Sequence, residues 1–401
     1  MLYVAVPILN ETELLDRFIR CISFQTFKKF KIFICVNQPD EWWDDPAKRK
    51  ICENNVETLE KLKSIREFDV VVIDKSTRGN GWKGRRHGVG WARKTAMDAI
   101  NELARTDDII LSLDADTTFR ENYFSTVVEN FRKNPDAVAL TVPYFHEPVQ
   151  DPEAYRAILR YEIYMRYYSI NLWRIKSPYS FTALGSAMAC PVSAYRVIGG
   201  MTPKMSGEDF YFLQKLRKYG RILIWNEEKV YPAVRFSDRV YFGTGPAMIR
   251  GNAGDWSGYP VYSPEFFDEI GETYRLFDSF YTRTQPTRVT EFLSNLLKED
   301  DPFKPLRENT RDPKRFIRAC HEKFDGLRIL QYLRMRQNQQ PEKDEVNLRN
   351  FLIKYYSPDQ EQLKNELDHL NFKDGTVEAL EKIRSFLVKK EEGYQFTSRL
   401  L

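Results

Sequence analysis

Two aspartates one residue apart, Asp114 and Asp116, follow a short apolar run at residues 109–113 of this 401-residue chain. Because side chains of a β-strand alternate between its faces, both aspartates are expected to point the same way at the end of a strand. Two carboxylates this close repel each other unless a divalent cation or a hydroxyl-rich ligand lies between them. The pattern indicates a site for Mg²⁺ or Mn²⁺ against phosphate oxygens, and the open alternative is a pair of turn residues.

The composition excludes several classes of protein. The chain is 42% hydrophobic and 29% charged, as is usual for globular proteins, and its net charge of +4 does not require a nucleic-acid partner. No apolar run is long enough to predict a transmembrane span, and residues 2–7 are interpreted as a core strand, not a signal peptide. The five cysteines form no Cys-x-x-Cys pair, so we expect a reducing, cytoplasmic location.

Strand and helix patterns alternate over the first 120 residues. This alternation predicts an α/β fold with a mostly parallel sheet flanked by helices, in which ligands bind beyond the carboxyl ends of the strands. The predicted strands are 2–6, 30–36, 69–73 and 109–113, and the predicted helices are 11–24, 55–68 and 91–104. The candidate ligand-binding residues that follow these strands are Pro7, Asn10, Glu11, Asn37, Asp74, Asp114 and Asp116.

Two segments with different sequence patterns follow the first 120 residues. A long aromatic helix is predicted over 155–175, followed by a helix over 209–219, short strands at 222–225 and 229–231, and a Gly- and Pro-rich loop over 243–262. From residue 285 the pattern becomes a series of charged amphipathic helices, predicted over 287–298, 313–324, 326–337, 343–356, 359–370 and 376–390. We therefore expect a catalytic domain over 1–284 and a C-terminal α-helical region over 285–401.

Four motifs in order carry a family resemblance. They are Val-Pro-Ile-Leu-Asn-Glu (6–11), Asp-x-Asp (114–116), Gly-Ser-Ala-Met-Ala (185–189) and Gly-Glu-Asp-Phe-Tyr-Phe-Leu (207–213). This order resembles family 2 glycosyltransferases, which are inverting, nucleotide-sugar-dependent enzymes of the GT-A type. The resemblance covers residues 1–245 and implies a Rossmann-like fold, with a nucleotide-sugar half at about 1–120 and an acceptor half at about 121–245.

The resemblance also implies roles for individual residues. A nucleoside-diphosphate sugar is expected on Pro7, Asn10, Glu11, Asn37, Asp74, Lys83, Arg86, Arg93, Asp114, Arg235 and Arg239. A saccharide or other hydroxyl acceptor is expected near Gly185 and Ser186, and the divalent cation on Asp116 and Asp114. Each of these residues also has a purely structural alternative. Asn10 would be a helix cap, Asp74 a turn residue, and the arginines members of surface ion pairs or of a solvated basic loop.

The inverting reaction needs a base for the acceptor proton. Asp209 matches the second carboxylate of the family's Glu-Asp segment and is the expected base, with Glu208 binding the acceptor or tuning Asp209. The alternative is that both merely place favourable charge in the first turn of a helix. One departure from the family is that no histidine occurs between His146 and His321, where many members supply a metal ligand. Asp116 and the donor's diphosphate oxygens are then the expected cation ligands.

Three other functions are consistent with the same residues. A retaining transferase would share the scaffold, a nucleotidyltransferase would share the sheet, the basic loop and the carboxylates, and a non-catalytic protein would bind the nucleotide sugar only. Trp82, Trp91 and the basic helix leave open a peripheral contact with a membrane.

Overall fold

The computed structural model describes residues 1–238, 243–357 and 363–398. Contacts divide the chain into two compact units. The first unit contains Met1–Ile158, Thr182–Ala253 and the described residues from Gln395 onward, and the second contains Leu159–Phe181 and Gly254–Tyr394. Their contacts therefore assign residues 264–280 to the same unit as the later helices. The sequence pattern had instead predicted a domain boundary between residues 284 and 285. The assignment of donor and acceptor halves stays a prediction.

A seven-stranded sheet forms the core of the first unit, in the order β3-β2-β1-β4-β7-β6-β8. The first four strands in this order are mutually parallel, β6 and β8 are also parallel, and β7 runs antiparallel to both of its neighbours. The strands are β1 (Leu2–Ile8), β2 (Phe30–Asn37), β3 (Val70–Lys75), β4 (Ile109–Ser112), β6 (Ala137–Thr141), β7 (Met188–Pro191) and β8 (Arg221–Leu223). The predicted mostly parallel α/β sheet is confirmed.

The central strands are buried because both of their faces are covered. All seven residues of β1 are buried, as expected for a parallel strand that reads as a continuous apolar run. In register, Val4 lies beside Ile32 of β2 and Leu111 of β4, so the carboxyl ends of these strands meet at one edge. The first unit's helices are α1 (Thr12–Ser23), α2 (Arg49–Ser64), α3 (Val89–Leu103), α4 (Tyr123–Lys133), α6 (Val192–Val197), α7 (Glu208–Tyr219) and α8 (Thr244–Asn252).

A second, two-stranded sheet pairs β5 (Thr117–Phe119) with β9 (Val230–Pro232). It brings the segment after β9 back to the end of β4. The segment 243–262, predicted as a loop, begins instead with helix α8. Its proline is the third residue of the helix, where no intrahelical hydrogen bond is lost, and Ala247 and Met248 are buried.

The second unit is helical. Helix α5 (Pro152–Arg174) starts in the first unit and continues into this one. The remaining helices are α9 (Pro264–Arg275), α10 (Phe277–Phe280), α11 (Arg288–Leu297), α12 (Lys304–Asn309), α13 (Pro313–Lys323), α14 (Gly326–Gln339), α15 (Asp344–Tyr356), α16 (Lys364–Asp368) and α17 (Val377–Ser398). The C-terminal helical region is thus confirmed, although part of the predicted helix 359–370 lies outside the described residues. Within the described ranges, no helix combines the length and apolar character that a membrane crossing needs.

Candidate active site

The Asp-x-Asp motif lies at the carboxyl edge of the sheet, but its two carboxylates have different partners. Strand β4 ends at Ser112, and the chain then turns, with the Thr117 amide donating to the Asp114 carbonyl at 3.1 Å. The Asp114 carboxylate pairs with Arg93, whereas the Asp116 carboxylate pairs with Arg235. Each aspartate is therefore paired with an arginine from another part of the first unit, and each arginine also pairs with a second carboxylate.

Arg93, on α3, is the centre of the first of these clusters. Its side chain is only 2% exposed. The Nη2 atom donates to Asp114 at 2.8 Å, Nε donates to Glu208 at 2.9 Å, and Nη1 donates to the Ser112 hydroxyl at 2.5 Å. Burial would lower the pKa of Arg93, but the two carboxylates raise it. Arg93, expected on a diphosphate, here joins the end of β4 to the start of α7.

Gly185 makes room for this arginine. The Arg93 Nη1 atom also donates to the Gly185 carbonyl at 3.0 Å. A Cβ atom added at Gly185 would lie 2.4 Å from Arg93 Nη2, which is too close for any real contact. Gly185 and the buried Ser186, both expected at the acceptor, are thus packed beside the Arg93 cluster.

Ser112 is a member of this cluster that the sequence reasoning missed. Its hydroxyl donates to the Gly185 carbonyl at 2.6 Å while accepting from Arg93. The sequence feature that could have indicated this role is its position at the end of β4, two residues before Asp114.

Arg235 is the centre of the second cluster. Its Nη2 atom donates to Glu11 at 3.0 Å and to Asp116 at 2.9 Å. Glu11 follows β1 and Asp116 follows β4, so neighbouring strands supply the two carboxylates. Burial raises the pKa of Asp116, nearby Asp114 raises it further, and Arg235 opposes both. Arg239, the other arginine predicted in this region, lies outside the described residues.

Asp209 lies in the first turn of α7, where its charge faces the positive end of the helix dipole. Its carboxylate accepts from the Phe210 amide at 2.7 Å. Burial and then repulsion by Glu208 raise the pKa of Asp209 to about 7, against the opposing effect of Arg93. A carboxylate with this pKa is suited to accept a proton near neutral pH.

Two residues at the ends of β2 and β3 are engaged in local structure. Asn37 donates to the Ile8 carbonyl at 2.9 Å and accepts from the Trp82 indole at 3.2 Å. Asp74 accepts from the amides of Ser76 at 2.8 Å and Thr77 at 2.9 Å. Although burial would raise it, these bonds and those from the side chains of Thr77 and Asn80 lower the pKa of Asp74 to about 2. Asp74 organises the turn after β3, and its role at a nucleotide base stays a prediction.

The residues after β1 are arranged differently from the expectation. Pro7 lies within β1, paired with Cys35, because the strand continues to Ile8. Asn10 adopts a φ of 55°, and its amide donates to the Asn55 side chain at 2.9 Å. The residue that caps α1 is Glu11, so the alternative of Asn10 as the helix cap is not what the structure shows.

The basic loop before α3 carries exposed cationic side chains. Lys83 and Arg86 are both exposed. The loop enters α3 through Gly90, where a Cβ atom would lie 2.2 Å from the Lys204 carbonyl oxygen and 3.0 Å from Glu208 Cβ. The start of α3 is therefore packed directly against the segment that leads into α7.

The two carboxylates near β4 that were expected to hold a divalent cation, those of Asp114 and Asp116, are both paired with arginines. Across the described part of the chain, no group of three or more His, Cys, Asp or Glu side chains is arranged to hold a metal ion. The cation expected on Asp116 and the donor's diphosphate oxygens therefore stays a prediction.

A family model matches the part of the chain that contains most of this site. Residues 109–256, which include Asp114, Asp116, Glu208 and Asp209, match the family model described as Glycosyl transferase family group 2. Among curated proteins, no sequence is significantly similar to this chain.

Three solved structures are similar to this chain at low sequence identity. S. aureus TarS 1–349 in complex with UDP-GlcNAc is 13% identical, with 100% of this chain and 91% of that chain covered and a TM-score of 0.43. GalNAc-T7 with UDP, GalNAc and Mn²⁺ is 12% identical, with coverages of 71% and 51% and a TM-score of 0.38. The mannosyltransferase PcManGT from Pyrobaculum calidifontis, with GDP-Man and Mn²⁺, is 12% identical, with coverages of 98% and 86% and a TM-score of 0.33. Likenesses this weak carry no conclusion about donor, metal or acceptor.

The family match covers four carboxylates of the site, Asp114, Asp116, Glu208 and Asp209, but not Glu11, and the sheet has the architecture expected from the motifs. Residues 109–256 are thus similar to the glycosyltransferases of family group 2, and they lie within an α/β unit built on a mostly parallel sheet.

Proposed function

We propose that the chain transfers a sugar from a nucleoside-diphosphate sugar to an acceptor hydroxyl with inversion, and that Asp209 is the general base. The observation that supports this most directly is the raised pKa of Asp209, about 7, because a carboxylate with this pKa can accept a proton at neutral pH. Its neighbour Glu208 is tied through Arg93 to Asp114, so the proposed base is linked to the motif at the end of β4.

The proposed reaction is a single displacement. Asp209 takes the proton of the acceptor hydroxyl as the acceptor oxygen bonds to the anomeric carbon. The bond from that carbon to the diphosphate oxygen breaks, and the diphosphate leaves with the bonding electron pair. Attack opposite the leaving group inverts the configuration.

Positive charge for the donor's diphosphate is available from the protein. Lys83 and Arg86 are exposed on the loop before α3, and arginine is well suited to phosphate oxygens. The step above is written without a divalent cation, and the binding of one by Asp116 and the donor's diphosphate oxygens stays a prediction. We further propose that Glu208, buried and bound to Arg93, holds the start of α7 in place.

The test is the variant Asp209→Asn with UDP-, GDP- and dTDP-sugars as donors. We expect turnover to fall by about 10²–10⁴-fold while nucleotide binding, measured by calorimetry, is retained. Asp136→Asn, which changes an exposed aspartate in a surface ion pair, is the matched control and should keep full activity.

The product distinguishes the alternatives. An inverted anomer, identified by NMR, supports the proposal, and a retained anomer points to a retaining transferase. Release of pyrophosphate would identify a nucleotidyltransferase, and binding of a nucleotide sugar without any turnover would leave a binding protein.

A further inference from the structure

Helix α5 and the segment before α9 bring five tyrosines together in the second unit. These residues, here called the tyrosine cluster, are Tyr161, Tyr164, Tyr168, Tyr259 and Tyr262. On α5, the ring centroids of Tyr161 and Tyr164 are 6.3 Å apart, as are those of Tyr164 and Tyr168, because residues three and four apart lie on one face of a helix. The Tyr259 ring meets the rings of Tyr161 and Tyr164 edge-on, at 5.1 and 5.5 Å. The cluster is therefore a continuous aromatic surface.

This surface is surrounded by protein and is still reached by water. Tyr164, Tyr168 and Tyr259 are each partly exposed, whereas Tyr161 and Tyr262 are buried. Burial raises the pKa of Tyr164 well above its ordinary value, and electrostatic interactions with the hydroxyl groups of the other four tyrosines raise it further. The five hydroxyl groups therefore lie close to one another, in a recess that remains open to solvent.

Buried polar contacts hold the segment that carries the last two tyrosines of the cluster. The Arg160 Nη2 atom donates to the Tyr259 carbonyl at 3.2 Å, and Arg160 also pairs with Asp344. Asp344 accepts from the Val261 amide at 2.9 Å, and the Asn347 side chain donates to the Val261 carbonyl at 2.8 Å. Because the segment is fixed in the free protein, a ligand that bound to these rings would lose little free energy in ordering them.

Aromatic rings with clustered hydroxyl groups suit a carbohydrate. The C–H groups on one face of a pyranose form an apolar surface that can stack on a tyrosine ring, and sugar hydroxyls can donate to phenol oxygens or accept from them. A membrane surface or a nucleic acid would instead require several basic side chains, whereas the cluster consists of neutral ones. A purely structural role would not require three of the five tyrosines to stay partly exposed.

We propose that the tyrosine cluster binds the sugar rings of an oligosaccharide acceptor. This inference rests on the proposed glycosyl transfer and deepens it, because it names the class of acceptor and assigns its binding residues in the second unit. Stacking depends on the C–H face of a pyranose more than on the linkage between sugars. The site should therefore accept several oligosaccharides with different affinities.

The first test measures binding of maltohexaose, cellohexaose, chitohexaose and mannohexaose to the full chain by calorimetry, without a donor. At least one of them should bind wild type with a Kd below about 10 mM, and Tyr164→Ala should lose about tenfold or more of that affinity. If none of the four binds, or if Tyr164→Ala binds as tightly as wild type, the proposal is overturned.

Two further variants separate binding by the cluster from a general effect on folding. Tyr164→Phe keeps the ring and removes only the hydroxyl, so it should fold as wild type does and bind about two- to tenfold more weakly. Tyr219→Ala, which removes an exposed tyrosine at the end of α7, is the matched control and should bind as wild type does. Equal losses in Tyr164→Ala and Tyr219→Ala would contradict the inference.

Nucleotide binding distinguishes failure of this inference from failure of the proposed function. Binding of UDP, GDP and dTDP to Tyr164→Ala, measured in the same way, should match wild type within about twofold. Loss of nucleotide binding in this variant would assign the cluster to the donor and overturn the inference. If no nucleotide binds wild type and no sugar is transferred, the proposed function fails, while the oligosaccharide measurement still reports separately on the tyrosine cluster.

Discussion

At the scale of single residues, the carboxylates of the first unit differ in what surrounds them. Asp209 is partly shielded from water beside Glu208, which raises its pKa to about 7, whereas Asp74 is held by amide and hydroxyl donors at a pKa of about 2. An aspartate side chain is thus suited to accept a proton at position 209, whereas at position 74 it stays ionised and stabilises a turn.

The raised pKa of Asp209 predicts a pH dependence of activity and stability. Activity should rise with pH through a midpoint near 7, because the base must be deprotonated. The folded pKa lies above the unfolded value of about 3.9, so ionisation of Asp209 lowers stability progressively between these values. The Tm advantage of Asp209→Asn over wild type should therefore grow between about pH 4 and pH 7 and level off above pH 7. An unchanged Tm difference across that range would show that Asp209 titrates normally.

The lowered pKa of Asp74 predicts the opposite sign. Its stabilising bonds are fully present above the unfolded pKa of about 3.9 and are lost as pH falls through about 2. Asp74→Ala should lower the free energy of unfolding at pH 7 by about 1–3 kcal/mol, since it leaves the Ser76 and Thr77 amides without their acceptor. Urea denaturation measures this change. Asp136→Ala, at an exposed ion pair, is the control and should cost about 0–1 kcal/mol.

At the scale of elements, the site depends on how closely three segments meet. Helix α3 supplies Arg93, β4 leads to Asp114, and α7 begins with Glu208, and the three are joined by one buried guanidinium. The glycines at 90 and 185 allow this approach, because a side chain at either position would overlap its neighbours.

Gly185→Ala tests that packing. The added Cβ would meet Arg93 Nη2 at 2.4 Å, so Arg93 must shift away from Asp114 and Glu208. We expect a loss of about 1–3 kcal/mol in unfolding free energy, as for other overpacked interiors, together with a fall in kcat. The matched control is Gly393→Ala in α17, where nothing lies within 4 Å of the new Cβ, and it should be neutral or stabilising. Equal effects of the two substitutions would argue against the packing role of Gly185.

At the scale of the whole molecule, the second unit contains a buried charge cluster that joins residues far apart in sequence. On α5, Arg166 pairs with Glu162 at 2.5 Å, and it also pairs with Glu391 of α17. Arg384 of α17 lies 3.5 Å from Glu162, and no member of this cluster is more than 4% exposed. Such a cluster is costly to break because one missing partner leaves an uncompensated buried charge.

Glu391→Ala should therefore be strongly destabilising. We expect a loss of about 3–5 kcal/mol in unfolding free energy, since Arg166 then loses one of its buried counter-charges. Replacing Glu391 and Arg166 together by Met should recover part of this loss, and thermal melting of both variants measures the difference. If Glu391→Ala were as stable as wild type, the apolar contacts of α17 alone would account for its packing.

The sequence by itself determined most of the elements of the sheet and the family resemblance. Apolar runs predicted β1, β2 and β4, and helical spacing predicted α1 and α7, because these features depend on residues close together in the chain. The order of motifs indicated the family whose model matches residues 109–256. It did not predict helix α8, since its glycines and proline are typical of loops until burial of Ala247 and Met248 stabilises a helix.

Only the tertiary structure decided which side chains face each other at the site. Arg93 was expected on a diphosphate, yet it lies between Asp114 and Glu208, the latter 115 residues away. Arg235 reaches Asp116 across 119 residues because β9 pairs with β5. Ion pairs of this kind follow from strand order and strand pairing, which bring distant segments together. Local propensity carries no information about them, since it depends only on neighbours in the chain.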